Sequence, residues 1–246
     1  MKTFNYALVA SALVCLMSVF SSCKSTAIYY QISQTKPVDE TIMKSDNNDR
    51  GYYYEDENCR ISYNFWSENG DASFQVTNLT DEVLYIVKDK CFFIKNGVSN
   101  DYFQNREWVD PVKPGLTTTH TKEKNLIGIA PHASKNIGEY VIYTKVLVDC
   151  DLNRQPKKNE PQTIAFTLAN TPVQFGNFIT YKVGDNGAEK AVSNLFYTSR
   201  VTNYRKDDIF TTERHDNCPN VSDIKTVEEQ VLRFAPATGY YVTYVK

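Results

Sequence analysis

Three Asn-Gly pairs, Asn69-Gly70, Asn96-Gly97 and Asn186-Gly187, each stand between runs in which apolar and polar residues alternate. A two-residue type I′ turn needs positive φ at both positions, which Asn and Gly tolerate, and its twist matches that of the strands it joins. Alternation on both sides of Asn-Gly therefore predicts an antiparallel hairpin. The first joins 60–67, where Ile61, Tyr63 and Phe65 share a face, to 72–77. The second joins 91–95 to 98–103, and the third joins 179–183 to 188–197. Gly70, Gly97 and Gly187 are the positions expected to need positive φ. Further strands are expected over 82–87, 125–130, 139–148 and 162–168. The chain has 17 Tyr and 13 Phe, residues that suit half-buried pleated faces, so the expectation is an all-β, antiparallel sandwich or barrel.

The N-terminus carries a separate signal. Lys2 gives a positive start, and 7–20 is an apolar run of signal-peptide length, short for a bilayer span. Val19-Phe20-Ser21-Ser22-Cys23 resembles the lipobox of bacterial lipoproteins, with Phe20 departing from the usual Leu. The resemblance implies a signal peptide over 1–22 and a lipid anchor, such as palmitate, on Cys23; cleavage to a free thiol is the competing reading. An acyl chain contributes about 0.8 kcal/mol per buried CH2 and holds a domain on a membrane without a spanning helix.

Residues 23–50 are mostly polar and read as a tether that contributes at most one short strand near 28–32. The sandwich is expected over 51–205, and 206–246 as a C-terminal extension packing on it. Within that extension, 226–234 fits a capped helix or a strand, with the strand favoured. The stretch 104–136 is rich in Pro and Thr and reads as a long functional loop, shortened by the strand at 125–130. Cys59, Cys91, Cys150 and Cys218 allow three disulfide pairings that spacing does not rank, and buried free thiols are the alternative.

The run Phe74 to Asp81, then Leu84-Tyr85-Ile86, then Ile129-Ala130-Pro131-His132-Ala133-Ser134, resembles immunoglobulin-like extracytoplasmic modules, in which an Asn-x-Thr corner joins two strands. With the lipobox, Tyr54 to Cys59 and Asn64 to Gly70, the chain is similar to lipoproteins of gut Bacteroidetes-type bacteria. The resemblance implies an immunoglobulin-like β-sandwich and a place in the cell envelope at the outer membrane, and no activity. In such bacteria surface-bound lipoproteins tend to carry acids directly after the anchor. Here Lys24-Ser25-Thr26-Ala27-Ile28 follows Cys23 and the first acid is Asp39, so a periplasm-facing domain is expected, with the cell surface as the alternative.

No sequence pattern carries catalysis. His120, His132 and His215 stand in no HExxH pattern, and His215-Asp216-Asn217-Cys218 has no partner pair, so neither a metal nor another cofactor is expected. Glu55-Asp56-Glu57 lacks the spacing of a calcium loop and reads as a solvated strand entrance. The Asn78 and Asn220 sequons read as turns. Removing 1–22 leaves 26 basic against 29 acidic residues with signs interspersed, so nucleic acid is not an expected partner. The expected function is a membrane-anchored, non-catalytic interaction or structural module, whose partner is an envelope protein or glycan. The alternative is glycan binding through the loop aromatics Trp108, Tyr102 and Phe103.

Overall fold

The computed structural model describes residues 26–45, 51–109, 120–215 and 227–245. In chain order the strands are β1 (Ile28–Pro37), β2 (Met43–Lys44), β3 (Tyr52–Glu55), β4 (Cys59–Tyr63), β5 (Phe74–Asn78), β6 (Leu84–Val87), β7 (Phe92–Lys95), β8 (Val98–Asp101) and β9 (Glu107–Val109). They continue as β10 (His120–Lys122), β11 (Leu126–Ile129), β12 (Ser134–Ile137), β13 (Gln162–Ala165), β14 (Gln174–Val183), β15 (Lys190–Arg205), β16 (Phe210–His215), β17 (Val227–Leu232) and β18 (Gly239–Val245). A single helical turn, α1 (Lys206–Ile209), precedes β16. The fold is all-β and antiparallel, its sheets curled into a half-barrel in the manner of a β-sandwich.

The large sheet runs β11-β6-β14-β15-β1-β18. Along one edge of β15 lies β1; along the other lie β14 and then β13. The β7–β8 hairpin pairs with β14 beside β6. The small sheet runs β12-β5-β4-β3-β2. Alternation decides which face each small-sheet strand buries: Ile61 and Tyr63 of β4 and Phe74 and Val76 of β5 point inward, while Arg60, Ser62, Gln75 and Thr77 point out. The inward set meets Phe175, Ile179 and Phe196 of the large sheet in one core. Its centre is aromatic, with ring centroids 4.9 Å apart for Phe65 and Phe196 and 5.1 Å for Tyr63 and Phe196, both edge-on as ring quadrupoles prefer.

Two buried hydrogen bonds join polar side chains across the core. The Asn194 amide donates to Tyr63 Oη at 2.8 Å, and Tyr102 Oη donates to Asn177 Oδ1 at 2.7 Å. The Asn-x-Thr corner clamps the sheets together. Asn78 is fully buried; its Nδ2 donates to the carbonyls of Glu82 (2.7 Å), Ile129 (3.1 Å) and Ala130 (3.2 Å), while Oδ1 accepts from Thr80 N at 2.9 Å and Thr80 Oγ1 at 2.8 Å. Asn78 thus ends β5 and its side chain holds the turn that follows; the Asn220 sequon lies outside the described residues.

Several expectations are corrected. Among the described residues the sheet begins at Ile28 and not near Gly51: β1 is a ten-residue strand hydrogen-bonded on both sides, to β15 and β18, so 28–37 of the expected tether is sheet interior. The C-terminal extension is likewise integral, since β18 pairs with β1. The segment 227–232 is the favoured strand, but it pairs with β16 and not with the strand that follows it. Residues 139–148 form no regular strand. Ile142 is buried as the alternation implied, yet the backbone of 140–143 bonds the loop at 69–72, with Ile142 N donating to Gly70 O at 3.0 Å, and Leu147 bonds the Gln31 side chain.

Of the three turns, Asn96 (φ 47°) and Gly97 (φ 79°) make the expected two-residue link. Asn69 and Gly70 also have positive φ, but they sit at the tip of a wider loop between β4 and β5. In the third, Gly184 and not Gly187 takes positive φ; Gly187 matters for space, since a Cβ there would lie 1.9 Å from Val183 O. Part of the long loop is a hairpin of β9 and β10, and 110–119 lie outside the described residues. Cys59 and Cys91 are buried free thiols, pushed by burial up to about 12 and about 11, and Cys150 is free and exposed. Cys218 lies outside the described residues.

Candidate ligand-binding face

The outward side chains of the small sheet form a polar grid fixed by strand register. One row crosses Glu55, Arg60, Thr77 and Ser134; the next crosses Tyr53, Ser62, Gln75 and Asn136. Each row joins four neighbouring strands, so it spans roughly 14 Å at the usual strand spacing, and the rows lie about 7 Å apart. Past the strand ends, Asn64, Asp71 and Ser73 extend the face, and together with every member of the two rows except Glu55 they line a groove of about 830 Å³. That volume lies within the range of small-molecule sites.

Neighbours in the grid hold one another in place. Gln75 Nε2 donates to Asn136 Oδ1 at 3.0 Å, and the Thr77 and Ser134 hydroxyls share a 2.8 Å bond. Arg60 pairs with Glu55 and lies over the Tyr53 ring, 5.1 Å from its centroid. Asp71 Oδ1 accepts from Ser73 N at 2.8 Å and from Ser73 Oγ. Among the described residues the lining thus carries one cation and one anion, each already engaged. Such a surface presents hydrogen-bonding groups at fixed spacing with little net field.

The site residues expected from sequence are not brought together here. Tyr102 is fully buried and hydrogen-bonded to Asn177, so it is a core residue and the expectation of a ligand contact is corrected. Phe103 is half-buried. Trp108 is 48% exposed on the β9–β10 hairpin, where the Arg106 guanidinium lies 6.0 Å from its ring. None of the three lines the groove. Cys23 and residues 1–22 lie outside the described residues.

The acidic triplet is absorbed by the fold. Glu55 pairs with Arg60, Glu57 with Lys190, and Asp56 Oδ1 accepts the Asn58 and Cys59 amides at 2.9 Å. The Asp56 carboxylate also accepts from the Tyr181 hydroxyl. His132 Nε2 lies 2.8 Å from Asp81 Oδ1, both well exposed. The side chains of His120 and His215 are outside the described set. Among the described residues no group of His, Cys, Asp and Glu is arranged to hold a metal ion.

A second charged cluster anchors the β9–β10 hairpin. Glu123 bonds Lys88 and accepts the backbone amides of Gln104 (3.0 Å) and Arg106 (3.1 Å), while Arg106 also pairs with Glu139. Burial pushes the Glu123 carboxyl up, but the Lys88 ammonium and the two amides outweigh it and hold the group at about 2. With two acids set against two bases and every member engaged, the cluster is structural.

Comparison of the chain with family models, curated proteins and solved structures found no match. Among the described residues, no helix is long and apolar enough to cross a membrane. The groove residues were legible only as the polar half of an alternation. Register aligns them into rows, and no local pattern encodes register.

Proposed function

We propose that this chain is an outer-membrane lipoprotein, anchored through Cys23 and facing the periplasm, whose sandwich serves as a non-catalytic binding module of the envelope. Its likeness to lipoproteins of gut Bacteroidetes-type bacteria and to immunoglobulin-like modules belongs to the same proposal. The observation that carries the binding role is the outward groove of the small sheet, a preorganised set of amides, hydroxyls and an internally paired arginine. Groups fixed in place before a ligand arrives lose little freedom on binding. A second reading, contact through the β9–β10 hairpin, retains Trp108 alone of the expected aromatics, because it is the large exposed ring there.

Three measurements test this. Clickable fatty-acid labelling should mark the protein and be lost in Cys23→Ala; label that persists in the variant removes Cys23 as the acceptor. A photo-crosslinking residue in place of Gln75, in living cells, should yield adducts that are absent when it replaces exposed Val148. No adduct from the groove position refutes the binding role. Protease added to intact cells should spare the domain, and digestion would reassign it to the surface.

A further inference from the structure

We propose that the groove takes a neutral oligosaccharide, bound across β3, β4, β5 and β12. The inference rests on the reading that the groove is the module's binding face and adds the chemistry of what it binds.

The hydrogen-bond inventory of the groove suits sugar hydroxyls. Gln75 and Asn136 are joined by one N–H···O bond, which leaves an acceptor on one amide and a donor on the other directed at the groove, whichever way the amides are turned. The Thr77 and Ser134 hydroxyls, joined in the same way, offer a further donor and acceptors one row away. A sugar hydroxyl both donates and accepts, so neighbouring hydroxyls on one ring match such mixed pairs. An anion, which only accepts, would leave the acceptors facing it unpaired, at a desolvation penalty.

The charge of the groove suits a neutral ligand. The one cation of the lining, Arg60, is already matched by Glu55, so no positive field remains to draw a phosphate, sulfate or carboxylate. The groove's shape and surface suit a ring. The Arg60–Tyr53 stack offers a flat wall suited to the C–H face of a sugar ring, beside amides suited to its rim. An apolar peptide finds few partners there. A peptide adding as a strand needs a sheet edge, whereas this surface is a sheet face. The rows span roughly 14 Å, which favours a short chain of sugars over a single ring.

The test uses the purified protein on a printed array of neutral and anionic glycans, followed by calorimetric titration of cellopentaose, maltopentaose, chitopentaose and the strongest neutral array ligand. At least one neutral oligosaccharide should bind, with an affinity that does not change with salt. Gln75→Ala combined with Asn136→Ala should weaken it by roughly ten-fold or more, about 1.4 kcal/mol, at an unchanged melting temperature. Ser62→Trp, which fills the centre of the groove, should abolish it independently. The proposal is overturned by no neutral binding, by binding only to anionic glycans, by affinity retained in both groove variants, or by loss through Trp108→Ala instead. If groove crosslinks form in cells while every oligosaccharide fails, the ligand class is wrong and the binding face stands.

Discussion

Replacing Asn78 removes one side chain that serves five hydrogen bonds at the junction of the two sheets. In Asn78→Ala the carbonyls of Glu82, Ile129 and Ala130 lose the Nδ2 donor, and Thr80 loses its acceptor. A buried polar group left without a partner costs about 1–3 kcal/mol. The two N–H groups of one amide satisfied the three carbonyls, so the loss amounts to two such groups, about 3–4 kcal/mol. At a urea m-value of about 2–3 kcal/mol/M, the unfolding midpoint should fall by roughly 1.5 M with the slope unchanged. Asn78→Asp sharpens the test. Its carboxylate would face three carbonyl oxygens, so its folded-state pKa must lie above the unfolded value near 4. An acid raised in this way destabilises the fold only above the unfolded pKa, and increasingly as pH climbs towards the folded one. Relative to wild type, the Asp variant should therefore recover stability as pH is lowered through about 5 to 4, whereas the Ala variant should not. An Ala midpoint within about 0.3 M of wild type, or an Asp variant with no such recovery, would refute the clamp.

The ion cluster under the β9–β10 hairpin makes a prediction of the opposite sign. Glu123 is held at about 2 against an ordinary 4.5, so its stabilisation is complete above pH 4.5 and is lost as pH falls towards 2. Urea midpoints measured over that window should decline in wild type and stay flatter in Glu123→Gln, which starts lower. Two glycines separate conformational cost from steric cost. At Gly97 a Cβ meets nothing within 4 Å, so Gly97→Ala should cost only the positive-φ penalty, about 1 kcal/mol. At Gly176 a Cβ would lie 2.0 Å from Asn194 O on the neighbouring strand, so Gly176→Ala should lower the melting temperature several times as much. Equal melting temperatures would contradict the close β14–β15 approach.

How much of this was legible in the sequence depends on whether each signal was local. The Asn96-Gly97 hairpin and the inward face of β4, with Ile61 and Tyr63, are local signals and legible in the sequence. The short strand expected near 28–32 understates β1, whose length and interior place are hidden because its buried positions are polar: Gln31, Ser33 and Thr35 are buried, and Gln31 is satisfied by Asn203 Oδ1 at 2.9 Å and by Leu147 N and O. A strand whose buried positions are amides and hydroxyls resembles a linker until its partners, more than a hundred residues away, are known. Residues 139–148 failed the other way, since their alternation is real but their partner is a loop. Tyr102 looked like a loop aromatic because nothing near it in sequence announces Asn177. The groove needed both kinds of information, the alternation from sequence and the register from long-range pairing.

The place of β1 has a mechanical consequence. If the chain is held at Cys23, five residues separate the lipid from Ile28, a reach of at most about 18 Å. The domain then rides close against the bilayer instead of swinging on a leash, and its height above the lipid is set within narrow limits. Any pull between envelope and ligand enters through a strand bonded along both edges, from Tyr29 to Pro37 on one side and from Ile28 to Gln34 on the other. Force along that axis shears both ladders at once, so many bonds share the load and none can be unzipped singly from a free end.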